Sequence, residues 1–91
     1  MENNTLTTPT VHLNGTSRQA LLEAYTTARC AVLRAITVLN NTAPNGRDYY
    51  TQGPEAISKA QEEHAARISA LIRISSELMA LAEAVFDQGE A

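Results

Sequence analysis

Four consecutive residues in the middle of this 91-residue chain combine side chains suited to binding a small anion. Arg47 carries a planar guanidinium that can donate two parallel hydrogen bonds to a phosphate or a carboxylate. Tyr49 and Tyr50 offer flat faces on which a base can stack, and Asp48 can accept hydrogen bonds from a base or ribose edge. Together the four residues, here called the tip quartet, predict a site for a nucleotide-like ligand.

The same segment has a structural interpretation, and the sequence leaves both open. The connection 42–53 is longer than two antiparallel helices require, and loops of such length are often functional or disordered. In the structural alternative, the two tyrosines close the end of a helical hairpin while Arg47 pairs with Asp48 to fix the turn. Both interpretations can hold together.

A second group of candidate ligand-binding residues precedes the first predicted helix. Backbone N–H groups at a helix start, the hydroxyls of Thr16 and Ser17 and the guanidinium of Arg18 can together bind an anion, with His12 and Asn14 close by in the sequence. An ordinary turn into a well-capped helix uses the same residue types. The two groups lie at opposite ends of one predicted helix, so a shared ligand would require a neighbouring subunit packed head to tail.

Catalysis and metal binding have little support in the sequence. The two histidines, His12 and His64, lie far apart, and Cys30 is the single cysteine, so neither a nucleophile–base pair nor the usual zinc spacing is present. We interpret His64 as a hydrogen-bonded interface histidine and Cys30 as an incidental thiol. The sequence therefore predicts a non-enzymatic protein without a metal or another cofactor.

The composition also bears on partners and location. Seven basic against ten acidic residues give a net charge of −3, which is unfavourable for broad contact with duplex DNA. No signal peptide and no apolar run long enough to cross a membrane is present. We therefore expect a soluble, cytoplasmic protein that binds neither duplex DNA nor membranes.

The first predicted helix covers residues 17–41. Thr16 and Gln19 have the spacing of a capping box at its start, and a Pro-Asn-Gly turn at 44–46 follows its end. Its apolar residues recur at alternating spacings of four and three, which indicates one packing face. This face comprises Leu21, Tyr25, Ala28, Val32, Ala35 and Leu39, widened by Leu22, Leu33 and Ile36.

A longer second helix is predicted over residues 54–88, with Pro54 in its first turn and Gly89 at its stop. A heptad seam runs along it. The seam comprises Ile57, His64, Leu71, Leu78 and Val85, with Ala60/Gln61, Ile68, Ser75 and Ala82 between them. Opposite charges four residues apart favour an exposed outer side. These pairs are Lys59–Glu63, Glu63–Arg67 and Arg73–Glu77.

The N-terminal residues 1–14 lack the helical pattern of the rest of the chain. Residues 1–9 are almost entirely polar and predict a flexible tail. Residues 10–14 alternate polar and apolar side chains, which predicts a short strand-like segment. A single strand is not stable alone, so it must lie on the helices or pair with another subunit.

These elements predict an all-α domain over residues 10–89: an antiparallel two-helix hairpin with a short N-terminal extended segment. The predicted helices differ in length, at about 37 Å and about 52 Å. A two-helix hairpin covers one side of each helix, and a chain this small buries little surface. We therefore expect assembly as a homo-oligomer, with the overhang of the longer helix meeting the N-terminal strand or another chain.

The segments His12-Leu13-Asn14-Gly15-Thr16-Ser17 and Pro44-Asn45-Gly46-Arg47-Asp48-Tyr49-Tyr50 resemble a group of small proteins encoded by tailed bacteriophages and prophages. This resemblance, over Val11 to about Phe86, implies a phage setting and no particular activity. In architecture alone, the chain is similar to small oligomeric helical-hairpin phage proteins that bind cyclic nucleotide signals of bacterial immune systems without cleaving them.

The leading functional expectation is a phage-encoded, non-enzymatic homo-oligomer that sequesters a small anionic, nucleotide-like immune signal. Arg47 would hold phosphate, the tyrosines would stack on a base, and residues 16–18 of a neighbouring subunit could complete the site. One alternative is an inhibitor or adaptor that docks on another protein through its acidic helical surface. Another is a structural component of the virion.

Overall fold

The computed structural model describes residues 6–89, and these form an antiparallel pair of helices. Helix α1 spans Arg18–Asn40 and helix α2 spans Ala56–Gln88. Two short 3₁₀ turns, Gly46–Asp48 and Tyr50–Gln52, lie in the connection. The sequence-based bounds of 17–41 and 54–88 differ from these helices by one or two residues at most ends. The all-α helical hairpin is thus confirmed.

The cap of α1 is one residue later than the predicted capping box. The Ser17 hydroxyl, and not that of Thr16, accepts a hydrogen bond from the Ala20 N–H at 3.1 Å. With Ser17 as the cap, the residue three positions on is Ala20, whose methyl group cannot bond back to the cap. Gln19 instead donates to Glu23 at 3.2 Å.

The side of α1 that faces α2 also differs from the predicted stripe. Ala28 and Ala35 are exposed, whereas Arg29 and Ile36 are half-buried among the other seam residues. The observed rotation covers the larger apolar surface of Ile36 and the aliphatic stem of Arg29 in preference to two methyl groups. The half-buried seam comprises Leu21, Leu22, Tyr25, Arg29, Val32, Ile36 and Leu39.

The core between the helices is thin. Among the described residues only Ala60, Ser75, Ala82 and Val85 are buried, and Val85 alone is completely covered. All four lie on the predicted heptad seam of α2. Its other described members are half-buried except for exposed Gln61, the alternative to Ala60. The heptad spacing therefore correctly predicts which side of α2 packs on α1.

The N-terminal segment does not form the predicted strand. Residues 6–12 have no regular structure, and the side-chain amide of Gln88 binds them where a neighbouring strand would. The Val11 N–H donates to Gln88 Oε1 at 2.7 Å, and Gln88 Nε2 donates to the Pro9 carbonyl at 2.8 Å. The described residues offer this segment no partner strand, and residues 13–14 form a turn. Of the two expected placements, the segment lies on the helices through Gln88, while pairing with another subunit stays a prediction. Of the predicted flexible tail, residues 1–5 lie outside the described residues, and Pro9 is held by Gln88.

The extra length of α2 lies at the turn end of the hairpin. Contacts between Arg18 and Phe86 join the start of α1 to the last turn of α2. Because α1 has 23 residues and α2 has 33, the first two turns of α2 extend past the end of α1. The second 3₁₀ turn contacts α2. Gln88 holds Pro9 and Val11 at the opposite end of α2, so the N-terminal segment does not meet the overhang. Contact of the overhang with another chain, the second expected possibility, stays a prediction.

Candidate functional site

The loop that carries the tip quartet is ordered by its own backbone. We call residues 41–55 the tip loop. Asn45 caps the first 3₁₀ turn, because its Oδ1 accepts from the Arg47 N–H at 3.0 Å and its carbonyl accepts from the Asp48 N–H at 3.0 Å. The Tyr49 carbonyl then accepts from the Gln52 N–H at 2.9 Å. These bonds fix the backbone of the quartet independently of its side chains.

One side chain of the tip quartet is half-buried, and the other three are exposed to solvent. Tyr49 is half-buried, whereas Arg47 and Asp48 are exposed and Tyr50 is 74% exposed. Within residues 6–89, the Arg47 guanidinium and the Asp48 carboxylate form neither a hydrogen bond nor an ion pair. The Arg47–Asp48 pair of the structural alternative is therefore not formed, and only Tyr49 contributes to packing.

This arrangement can bind a ligand on one side only. The guanidinium, the carboxylate and the Tyr50 ring belong to four consecutive residues at one end of a molecule 61 Å long, and all three are exposed. Small-molecule sites usually enclose most of the surface of their ligand. A single tip offers the right chemical groups for a phosphate and a base but does not enclose them.

The second candidate group lies at the other end of the hairpin and is largely engaged in holding it together. Ser17 caps α1, and the Arg18 guanidinium lies 4.7 Å from the centre of the Phe86 ring while its Nη2 donates to the Phe86 carbonyl at 3.0 Å. A cation at that carbonyl also complements the negative end of the α2 dipole. Arg18 thus joins the two helices.

His12 and Gly15 form the turn before α1. The Gly15 N–H donates to the His12 carbonyl at 3.1 Å, and the His12 ring lies so close that a Cβ on Gly15 would be 2.7 Å from its Nε2. Asn14 and Thr16 are exposed beside them. Because α1 is about 35 Å long, these residues and the tip quartet are not brought together within one chain.

Two side chains of the seam, Arg29 and His64, each contain a buried nitrogen without a hydrogen-bond partner among the described residues. These atoms are Arg29 Nε and His64 Nδ1. Arg29 was missed because an arginine does not count toward an apolar stripe, although it stands four residues after Tyr25 and three before Val32. We expect His64 to form a hydrogen bond at an interface. Its Nδ1 forms none within the described part of one chain, so this role stays a prediction.

The register places a small residue opposite Arg29. Starting from the contact between Arg18 and Phe86, eleven residues along α1 lead to Arg29, and eleven residues back along α2 lead to Ser75. Equal numbers of residues span equal lengths of helix, so the two residues lie at about the same level. Ser75 is 6% exposed, and its small side chain leaves room for the Arg29 stem in the seam.

Gly53 sets the path from the tip loop into α2, and its replacement tests how strongly that loop is fixed. Its φ of +112° is one that other residues rarely adopt, whereas nothing stands within 4 Å of a Cβ added at either Gly53 or Gly46. We expect Gly53→Ala to lower the free energy of unfolding by about 1–3 kcal/mol, measured by urea denaturation. The matched variant Gly46→Ala should change it little, and equal effects of the two would contradict this role.

Two further features of residues 6–89 concern metals and membranes. No three His, Cys, Asp or Glu side chains in this part of the chain are grouped closely enough to hold a metal ion. Neither described helix combines the length and the apolar character that a membrane span needs.

The chain matches no protein-family model, no curated protein and no solved structure.

Proposed function

We propose that this chain is a non-enzymatic binding protein that works as a homo-oligomer and sequesters a small, anionic, nucleotide-like molecule at its tip loop. The observation that carries this proposal is the state of the tip quartet. Its backbone is fixed by turn hydrogen bonds, yet Arg47, Asp48 and Tyr50 present their side chains to solvent without partners in the described chain. Because this backbone is already fixed, binding would order only the side chains and not the loop itself.

The oligomeric part of the proposal is supported by the shape and the thin core. The radius of gyration is 18.7 Å, compared with about 12 Å for a compact domain of this length. A chain that covers only one side chain completely within its described part buries little of the apolar surface that stabilises a fold. Packing between copies would supply the missing burial.

In the phage setting that the sequence resemblance implies, such a protein would act in the host cytoplasm. By holding a nucleotide-like immune signal without cleaving it, the protein would lower the free concentration available to the host receptor. The groups at the tip suit this task, because a guanidinium binds phosphate and an aromatic face accepts any base.

A protein-docking function is the second candidate, and the charge of α2 favours it. This helix carries five acidic against three basic residues, and Glu62 and Glu63 are exposed on it. Glu77 is instead paired with Arg73 at 3.1 Å, as the sequence predicted. A partner captured through this surface would be lost on charge reversal at Glu62 and Glu63 and retained in Arg47→Ala.

A thermal-shift panel tests the proposed function. The probes are cyclic di- and trinucleotides and ADP-ribose derivatives, with inorganic phosphate as the control. A ligand at one hundred times its dissociation constant stabilises the folded state by about 2.7 kcal/mol, which raises Tm by roughly 10–20 °C for a chain of this size. At least one probe should give such a rise while phosphate does not. A panel without any shift at millimolar concentrations would contradict the proposal.

A further inference from the structure

We infer that a second copy of this chain packs on one uncovered face of the hairpin, and that the two copies run in the same direction, so that both tip loops meet at one end. This inference rests on the homo-oligomer of the proposed function and adds to it the surface, the direction of packing and the composition of the ligand site.

The face consists of exposed apolar residues along both helices. On α2, Ile72, Met79 and Phe86 recur every seventh residue and are 51%, 37% and 61% exposed. On α1, Leu33 is 39% exposed and stands fifteen residues from Arg18, which places it about level with Ile72. Right-handed helical rotation puts these side chains on the same side of the hairpin. We call this surface the open face.

The opposite side of the hairpin is partly occupied by the chain itself. Gln88 lies on that other flank of α2, since it is two residues, or about 200° of helical rotation, from Phe86. Its amide holds the Pro9 carbonyl and the Val11 N–H there. The N-terminal segment therefore covers part of that side, whereas Ile72, Met79 and Phe86 of the open face stay exposed.

The chain exposes enough extra surface to form an interface with a second copy of itself. The chain exposes 6506 Å², compared with about 5,200 Å² for a compact monomer of its mass. The excess of about 1,300 Å² exceeds the roughly 800 Å² that each partner buries in a standard interface. On α2, the residues of the open face are seven positions apart, as are the residues of the seam. Helices that pack in bundles use this spacing.

The charges of the two helices select the direction. Helix α1 carries three arginines against one glutamate, whereas α2 carries five acidic residues against three basic ones. A two-fold axis along the hairpin sets α1 of each copy on α2 of the other, which brings opposite net charges together. A two-fold axis across the hairpin sets α1 on α1 and α2 on α2, where like charges meet. Parallel packing is therefore favoured.

Parallel packing has a direct consequence for the ligand site. The two tip loops lie side by side, so two copies of Arg47 and two of Tyr50 face one space between them. The site then suits a ligand with two phosphates related by two-fold symmetry, and each copy alone provides half of it. Residues 16–18 lie at the far end of both copies, so they do not complete this site as a head-to-tail arrangement would require.

Spin-label distances test the direction of packing. Cys30 is exposed, so a Cys30→Ser background leaves an introduced cysteine as the single label site. In that background, labels on Thr51→Cys should be within about half of the 61 Å molecular length of one another in a parallel dimer. Mixed Thr51→Cys and Asn14→Cys proteins should give a long distance. A short mixed distance together with a long Thr51–Thr51 distance would overturn the parallel arrangement.

Charge substitution tests the face itself. Ile72→Glu should weaken self-association by more than about tenfold in sedimentation velocity, because it places a charge in an apolar interface. The control Ala66→Glu adds the same charge on the exposed outer side of α2 and should leave association unchanged. A dimer that survives Ile72→Glu would overturn the face alone, whereas a monomeric parent protein would contradict the homo-oligomer. If Ile72→Glu does not fold, the spin-label distances still decide the direction.

Discussion

Replacing Val85 with aspartate is expected to unfold the protein. Val85 is the one side chain of the described residues with no exposed surface, and it lies on the α2 seam near the joined ends of the helices. The substitution removes apolar burial and places a carboxylate without a partner in the interior, which together lower the free energy of unfolding by more than about 4 kcal/mol. With so thin a core, far-UV circular dichroism should show a loss of most of the helical signal.

The same substitution at Val38 is the matched control. Val38 belongs to α1 and is 64% exposed, so aspartate there remains in water. The expected loss is about 1 kcal/mol, set by helix propensity and by the position of a carboxylate in the last turn of α1. If Val38→Asp destabilised the protein as much as Val85→Asp, the seam would not be the source of its stability.

Arg47→Ala is expected to remove most of the affinity for the ligand found in the thermal-shift panel. A charge-assisted hydrogen bond contributes about 1.5–3 kcal/mol, which corresponds to a loss of roughly ten- to a hundredfold in Kd. Because the exposed Arg47 side chain forms no hydrogen bond or ion pair within the described chain, the stability of the unliganded protein should not change. Isothermal titration calorimetry of the variant and its parent measures the difference.

Arg34→Ala is the control for Arg47→Ala. Arg34 is an exposed residue of α1, and its loss changes the net charge by the same amount away from the tip loop. The affinity of Arg34→Ala should equal that of the parent. Equal losses in the two variants would mean that overall charge, and not the tip quartet, attracts the ligand.

The helices were predictable because their signals extend over many residues. The α2 seam repeats over more than four heptads, and Gly89 with its φ of +74° ends the helix where the sequence indicated. A long periodic pattern averages out the weak preference of each residue, so the packing side of α2 was identified together with its length. The Arg73–Glu77 pair follows from the same regular spacing.

The local features that failed depend on contacts distant in sequence. Five alternating residues predict a strand equally well whether or not another strand is nearby, and here the neighbour is Gln88, 77 positions from Val11. The position of the α1 cap depended on a choice between adjacent hydroxyls, Thr16 and Ser17, that composition does not decide. Arg29 entered the seam because its long apolar stem packs like an aliphatic side chain.

The candidate site was predictable in its residues and not in its geometry. A loop with adjacent arginine, aspartate and tyrosines indicates binding chemistry, but it does not show whether the charges pair with each other. In the structure, Asn45 caps the turn, Arg47 and Asp48 do not pair, and Tyr49 is half-buried while Tyr50 is exposed. The two tyrosines differ because consecutive residues of a turn point in different directions.

Sedimentation velocity across a wide range of protein concentrations, joined to thermal melting of the same samples, tests most directly the claim that this hairpin completes its core only with another copy. We predict a dimer or larger assembly that dissociates on dilution, with a Tm that rises with protein concentration because assembly stabilises the folded state. A compact monomer at all concentrations, with a Tm independent of concentration, would contradict the account.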